Sequence, residues 1–336
     1  MPGTPDARFL ILRLGSLGDI VHTLPAVAAL RDSFPGARID WLVERKWEAL
    51  LEGNFDLSGV VPLDRTSWGT HVSAIRTLRV AGYTSAIDFQ GLYKSAVLGF
   101  LSGAPQRIGF EAGYARERGA VCFYTERAAP AGRHKVEHNL ALAACAGARK
   151  NVVRFPLSVP EEAQAAMDRR LAAGGLREFF VVSPGGGWRS KCWPPERYGE
   201  LCRELAQRRG WRAVVNFGPG EGGLAEAVRR AAAPAVPASF ETDVPELMAL
   251  LLRARLLVAG DTGPLHLASA LGTPVVGLYG PTDPARNGPY RAADIVVRNA
   301  RPEETTYKRR NEYAASILSI SVGQVLAAVE CRLEKS

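Results

Sequence analysis

The 336-residue chain is poor in cysteine, and its five thiols (Cys122, Cys145, Cys192, Cys202, Cys331) are odd in number and never spaced as Cys-x-x-Cys. That argues against a disulfide framework and against a zinc site. Long apolar runs are also missing. Stretches such as Leu247 to Leu252 and Ala96 to Leu101 fall far short of the roughly 18 to 20 residues a membrane-spanning helix needs, so no transmembrane segment is expected. A secretory leader is not legible, because the apolar run Phe9 to Leu12 is short and Arg13 and Asp19 follow at once; a cytoplasmic location is expected. Two nucleotide signatures are absent as well: Gly-x4-Gly-Lys-Ser/Thr, and a full Gly-x-Gly-x-x-Gly after a first strand with an acidic residue about 20 positions on. Their absence counts against a P-loop hydrolase and a nicotinamide-dependent oxidoreductase.

What is present is an ordinary globular balance, 47% hydrophobic and 23% charged, which excludes extended disorder. The length exceeds what one core usually supports, so two domains are expected. Short aliphatic runs alternate with helical patterns in both halves. Strands are read at Phe9 to Leu14, Arg38 to Val43, Gly59 to Pro62 and Ala86 to Phe89, then at Phe179 to Ser183, Ala213 to Phe217, Leu256 to Ala259 and Pro274 to Tyr279. The alternation predicts an α/β fold of two doubly wound parallel sheets. Domains are expected over 1–160 and 175–320, with a last helix within 321–336 packing back on the first. Pro25 is expected to kink or restart the helix that follows strand one.

Ligands of doubly wound sheets lie at the carboxyl ends of the strands, so the loops there are the places to search. The first is Gly15-Ser16-Leu17-Gly18-Asp19. Its glycines admit close approach of a ligand, and Asp19 is suited either to cap the helix or to accept a proton from a bound hydroxyl. The second is Ser183-Pro184-Gly185-Gly186-Gly187-Trp188-Arg189-Ser190-Lys191. Three glycines followed by a lysine suit a diphosphate held by backbone amides and a cation, or else an exposed flexible loop. In the third, Gly218 to Gly223, Glu221 suits ribose hydroxyls or the first turn of a helix. The fourth, Gly260-Asp261-Thr262-Gly263-Pro264-Leu265-His266, is the most specific: a strand ends, a polar turn follows, and Pro264 presets a helix whose free amides face a ligand. His266, one turn in, reads equally as a partly buried structural histidine.

The net charge is +8, and residues 103–155 hold nine basic side chains against four acidic. Either an anionic partner docks there or the face is merely solvated. Nucleic acid is not expected, since no recognised binding motif accompanies the charge.

Five stretches in order, Leu14 to Pro25 (LGSLGDIVHTLP), Asp88 to Ala96 (DFQGLYKSA), Ser183 to Pro194 (SPGGGWRSKCWP), Gly260 to Leu267 (GDTGPLHL) and Gly272 to Asp283 (GTPVVGLYGPTD), resemble family 9 glycosyltransferases, the ADP-heptose:lipopolysaccharide heptosyltransferases, and within them heptosyltransferase I. The resemblance spans nearly the whole chain. It implies a GT-B fold, two Rossmann-like domains facing across a cleft, with the acceptor held mainly by the first and the nucleotide sugar by the second. It implies inverting transfer of heptose from ADP-L-glycero-D-manno-heptose to the Kdo of a lipid A acceptor, with Asp19 as general base. Lys191 then contacts the donor diphosphate and Glu221 the ribose, while Gly15, Ser183, Gly185, Asp261, Thr262, Gly263 and His266 complete the donor group. Ser16, Lys94, Arg107, Arg116 and Arg118 are the expected acceptor contacts, since guanidinium forks match carboxylates and phosphates. No Asp-x-Asp occurs, so no essential metal and no cofactor beyond the co-substrate is expected. The enzyme is expected to be a monomer held peripherally at the anionic cytoplasmic face of the inner membrane. Against this stand a nucleotide-sugar epimerase of the same architecture, another sugar or acceptor within the family, and a non-catalytic module that binds nucleotide or anionic lipid, in which Asp19 only caps a helix.

Overall fold

The computed structural model describes residues 7–64, 68–149 and 153–335, the side chains of 68–71 excepted. The chain divides into two compact units, one up to Ser158 and one from Val159. In the first, the strands are β1 Arg8–Leu12, β2 Arg38–Glu44, β3 Gly59–Leu63, β4 Ser85–Asp88, β5 Gln106–Phe110 and β6 Glu126–Ala128. In the second they are β7 Phe179–Ser183, β8 Arg212–Phe217, β9 Ala238–Glu241, β10 Leu257–Gly260, β11 Val275–Tyr279 and β12 Ile295–Arg298. Each sheet is six-stranded, in the orders β3-β2-β1-β4-β5-β6 and β12-β11-β10-β7-β8-β9, and every pairing is parallel. Counted from its own first strand, each order is the Rossmann order, which reverses beside that strand. This is the two-domain GT-B fold.

The central strands are apolar because helices cover both faces. Leu10, Ile11 and Leu12 of β1 and Phe180, Val181 and Val182 of β7 are wholly or almost wholly buried, as parallel sheets require. Four strands escape the sequence pattern, β5, β6, β9 and β12, all on the flanks of a sheet. Strands β6, β9 and β12 are sheet edges, paired on one side only and only partly covered, so they need no continuous apolar run. Pro25 acts as expected: one helix ends at Val21 and the next, Leu24–Ser33, restarts with Pro25 in its first turn.

The last helix, Val322–Glu334, is built into the core of the second unit. Val325, Leu326, Ala328 and Val329 enter the apolar core of the second, together with Trp193, Tyr198 and Val276. Trp193 Nε1 donates to the Ile320 carbonyl at 3.0 Å, and Arg332 Nε lies 3.2 Å from the buried Asp294 Oδ1. The helix presents its apolar stripe to β11, β12 and the helix Pro195–Arg209. Among the described residues no helix is long and apolar enough to cross a membrane.

Candidate active site

In each unit the strand order reverses between two strands, β1 and β4 or β7 and β10, and the loops leaving their carboxyl ends form a crevice that favours ligands. In the first unit β1 ends at Leu12, and Arg13 to Ser16 lead into the helix Leu17–Val21. Ser16 is the cap of that helix and Asp19 its third residue, so Asp19 is the partner of a capping box and not the cap itself. Its Oδ2 accepts from Ser16 Oγ at 3.2 Å. Its Oδ1 lies 2.6 Å from Arg13 Nη2, and Arg13 Nη1 donates to the Phe89 carbonyl at 2.6 Å. The loops after β1 and β4 thus jointly aim one buried guanidinium at one carboxylate.

The Asp19 side chain keeps 28% of its surface exposed, so a ligand hydroxyl can reach it. Burial pushes its carboxyl up, but Arg13 first, then Lys135, His22 and Arg116, outweigh that and hold it well below the usual carboxylate range. Asp19 is therefore ionised at neutral pH. A base of such low proton affinity takes a proton late, once the attacking oxygen has begun to bond and its own acidity has risen.

Asp88, at the end of β4, organises the neighbouring loop. Its Oδ1 accepts from the amides of Gln90 and Gly91 at 2.8 and 3.1 Å, and its Oδ2 from Ser95 Oγ and Tyr124 Oη at 2.8 and 2.7 Å. Burial nevertheless pushes the Asp88 carboxyl up. Gln90 Oε1 then accepts from the Leu14 amide at 2.8 Å, which ties this loop to the one bearing Asp19. Gly15 is required by crowding, since a Cβ there would lie 2.9 Å from Trp47 Nε1.

The acceptor candidates divide. Arg116 is exposed and close enough to act on the Asp19 charge, and Arg118 is exposed just beyond it. Lys94 Nζ sits 3.9 Å from Glu44 Oε1 at the carboxyl end of β2. Arg107 does not join them. It is the second residue of β5, towards the amino end of the sheet, and its guanidinium donates to the carbonyls of Phe123 and Ala104 at 2.8 and 2.9 Å, so its role is to fix a loop. Lys150, one of the nine basic residues, lies outside the described residues. Sequence reasoning missed Arg13, His22 and Lys135 as contributors; Arg13 fell inside the strand read over Phe9 to Leu14, whereas β1 ends at Leu12.

In the second unit three loops converge. Lys191 Nζ donates to the Asp261 carbonyl at 2.6 Å and lies 3.1 Å from its Oδ2. Asp261 Oδ1 accepts from Asn287 Nδ2 at 2.9 Å, with His266 Nε2 at 3.3 Å. Burial pushes the Asp261 carboxyl up, but His266, Lys191 and Thr282 override it and hold the group well below the usual range. Asp261 is only 3% exposed and His266 6%, so His266 orients the aspartate from within. Asn287, on the short helix Pro284–Asn287, was not anticipated.

Glu221 stands before the helix Gly222–Ala231 and accepts from the Gly218 amide at 3.1 Å. A Cβ on Gly185 would come within 2.4 Å of both Glu221 carboxylate oxygens, and one on Gly186 within 3.1 Å of Thr262 Cγ2. The glycine loop therefore passes bare backbone between Glu221 and Thr262, with Lys191 at its end. Thr262 caps the nine-residue helix Gly263–Leu271 and donates its hydroxyl to the Gly260 carbonyl at 3.3 Å, which leaves the first-turn amides to meet an anion. Ser183 departs from expectation. It is buried, and its Oγ donates to Asn216 Oδ1 at 3.3 Å while Asn216 Nδ2 donates to Thr242 Oγ1 at 2.6 Å; this polar ladder joins β7 and β8 and occupies the hydroxyl. Among the described residues no group of three or more His, Cys, Asp or Glu side chains is placed to hold a metal ion.

The chain is similar to known proteins over most of its length. The model of glycosyltransferase family 9 (heptosyltransferase) matches residues 71–316. Lipopolysaccharide heptosyltransferase 1 of Pseudomonas aeruginosa is 31% identical over 328 residues, covering 91% of this chain and 88% of its own. The crystal structure of a family 9 glycosyl transferase from Veillonella parvula superposes with a TM-score of 0.86 at 23% identity, covering 98% of both chains. Escherichia coli heptosyltransferase WaaC with ADP-2-deoxy-2-fluoro heptose superposes with a TM-score of 0.75 at 25% identity, covering 96% of this chain and 99% of that one.

Proposed function

Because the chain belongs to glycosyltransferase family 9, the heptosyltransferases, we propose that it moves heptose from ADP-L-glycero-D-manno-heptose, with inversion, to the Kdo of a lipid A acceptor in lipopolysaccharide core synthesis. The donor reading is supported by the relative that binds a fluorinated ADP-heptose, and a place in lipopolysaccharide synthesis by the lipopolysaccharide heptosyltransferase 1 relative. The observation that carries the reading is the meeting of Lys191, Asp261 and Glu221 around the bare backbone of Gly185 and Gly186. Such a cradle offers amides and a cation to a diphosphate and a carboxylate to ribose hydroxyls.

The steps follow from the residue types. The acceptor hydroxyl attacks the anomeric carbon, Asp19 takes its proton, and the bond from that carbon to the diphosphate oxygen breaks with its electron pair left on ADP. Negative charge grows on the diphosphate, where Lys191 and the amides after Thr262 stabilise it; one preorganised donor of this kind contributes on the order of 3 kcal/mol. In this reading these groups stabilise the departing diphosphate without a divalent ion. Arg116, Arg118 and Lys94 meet the acceptor's carboxylates and phosphates, with Ser16 beside the base. The protein acts as a monomer at the cytoplasmic face of the inner membrane, drawn there by its basic face.

The test is turnover. Purified protein given ADP-heptose and Kdo2-lipid A is expected to release ADP and heptosylated product, and Asp19→Ala to abolish that release. Hydrolysis or epimerisation of donor with no acceptor present, or full activity in Asp19→Ala, would refute the assignment.

A further inference from the structure

The segment between β12 and the helix Ala315–Leu318 has no regular strand, yet it is stitched to two of the loops described above. At its start Arg298 Nη2 donates to Thr305 Oγ1 at 2.8 Å and Arg298 Nε to the Thr282 carbonyl at 3.2 Å. The Thr306 amide then donates to the Pro281 carbonyl at 2.9 Å. At its far end the Ser190 amide donates to the Arg310 carbonyl at 3.3 Å, and the Arg189 guanidinium lies 4.6 Å over the Tyr313 ring. The strap therefore crosses from the loop after β11 to the turn that carries Lys191. It brings three consecutive exposed cations, Lys308, Arg309 and Arg310, to the glycine-loop cradle.

Trp188 marks where they arrive. Lys191 Nζ lies 4.7 Å from the centre of its ring and the Arg309 guanidinium 5.6 Å, so two cations share one indole. Their charges are not equivalent. Lys191 is paired with Asp261, and that pair is neutral as a unit. Glu303 and Glu304, the carboxylates at the start of the strap, pair with Arg301, and among the described residues no carboxylate lies within ion-pair distance of Arg309. Arg309 is thus an uncompensated charge beside the cradle, and it is the one of the three strap cations that stacks on Trp188. A guanidinium is also the better fork for adjacent phosphate oxygens.

We propose that Arg309, stacked on Trp188 and held by this strap, binds the diphosphate of the nucleotide-sugar donor and takes up the charge that Lys191, already committed to Asp261, leaves unmatched as the diphosphate departs. The inference rests on the donor reading given above. It adds a residue and a loop that none of the five family stretches contains.

Calorimetric titration of the full chain with ADP and with adenosine tests it, using Arg309→Gln, Arg309→Lys and, as a control of equal charge change, Arg255→Gln. Arg255 lies before β10, at the opposite end of the sheet, paired with Glu178. Arg309→Gln is expected to weaken ADP binding at least tenfold and flatten its salt dependence, while adenosine binds as before. Arg309→Lys recovers part of the loss and Arg255→Gln shows none. In turnover Arg309→Gln raises KM for ADP-heptose and lowers kcat. Unchanged ADP affinity in Arg309→Gln, or equal losses for ADP and adenosine, overturns the proposal, the second outcome making Arg309 a packing partner of Trp188. Failure of the wild-type chain to bind ADP at all sinks the donor reading itself, which separates the two.

Discussion

Arg13 and Asp19 form a single ion pair across the first loop, Nη2 to Oδ1 at 2.6 Å, and the same guanidinium is pinned to the carbonyl of Phe89. One residue therefore both positions the base and does most to weaken it. Removing that cation has a predictable sign. With Arg13→Gln the Asp19 carboxyl rises towards its ordinary range, so the acidic limb of the pH profile of kcat/KM moves to higher pH. At neutral pH the variant still has an ionised base but a disordered one, and kcat falls. An acidic limb that stays in place would mean that Asp19 does not set it.

Substitution of Asp19 separates catalysis from helix capping. Loss of a general base lowers rates by about 100-fold to 10,000-fold, so Asp19→Asn is expected to cut kcat in that range with KM nearly unchanged. Asn still reaches back to the Ser16 cap but no longer neutralises the buried Arg13, so the thermal midpoint should drop while the variant stays folded at assay temperature. Activity lost only in proportion to the fraction unfolded would return Asp19 to a structural role.

Asp19 and Asp261 also make stability depend on pH. Both bind protons less readily in the folded chain than their ordinary values imply. Their contribution is fully present above the unfolded carboxylate pKa of about 4 and is lost as pH falls through the depressed folded values. Urea midpoints are thus expected to hold between pH 7 and 5 and to drop below about pH 4. Asp261→Asn should flatten that drop, and an unchanged slope in this variant would rule the residue out as its source.

The cradle was legible because its chemistry is local. Gly185, Lys191, Glu221 and the Asp261 turn each follow an apolar strand, and a strand followed by glycines and one charge can be read in a single window. Arg13 and Asn287 were not, since each acts through a partner on another loop. Arg107 looked like an anion contact by charge alone; its place at the amino end of β5 turned it inward to carbonyls. Ser183 misled in the same manner, its hydroxyl being bound to Asn216 across the sheet. The last helix showed its apolar stripe in the sequence but not which core would receive it.

That helix gives the sharpest stability prediction. Arg332 and Asp294 are 4% and 0% exposed, and Asp294 Oδ2 also accepts from Ser269 Oγ at 2.6 Å while Oδ1 lies 3.3 Å from the Val275 amide. The carboxylate thus joins the last helix to the end of the helix Gly263–Leu271 and to the start of β11. Asp294→Ala removes one partner of a buried pair, at a cost of about 3 to 5 kcal/mol. The unfolding transition of the second unit should move to markedly lower urea. Replacing Arg332 by Met in the same chain takes the buried guanidinium out of the core, so the double variant should recover part of the loss. If the double variant is no more stable than Asp294→Ala, the hydrogen bonds to Ser269 and Val275, and not the ion pair, are what secure the helix.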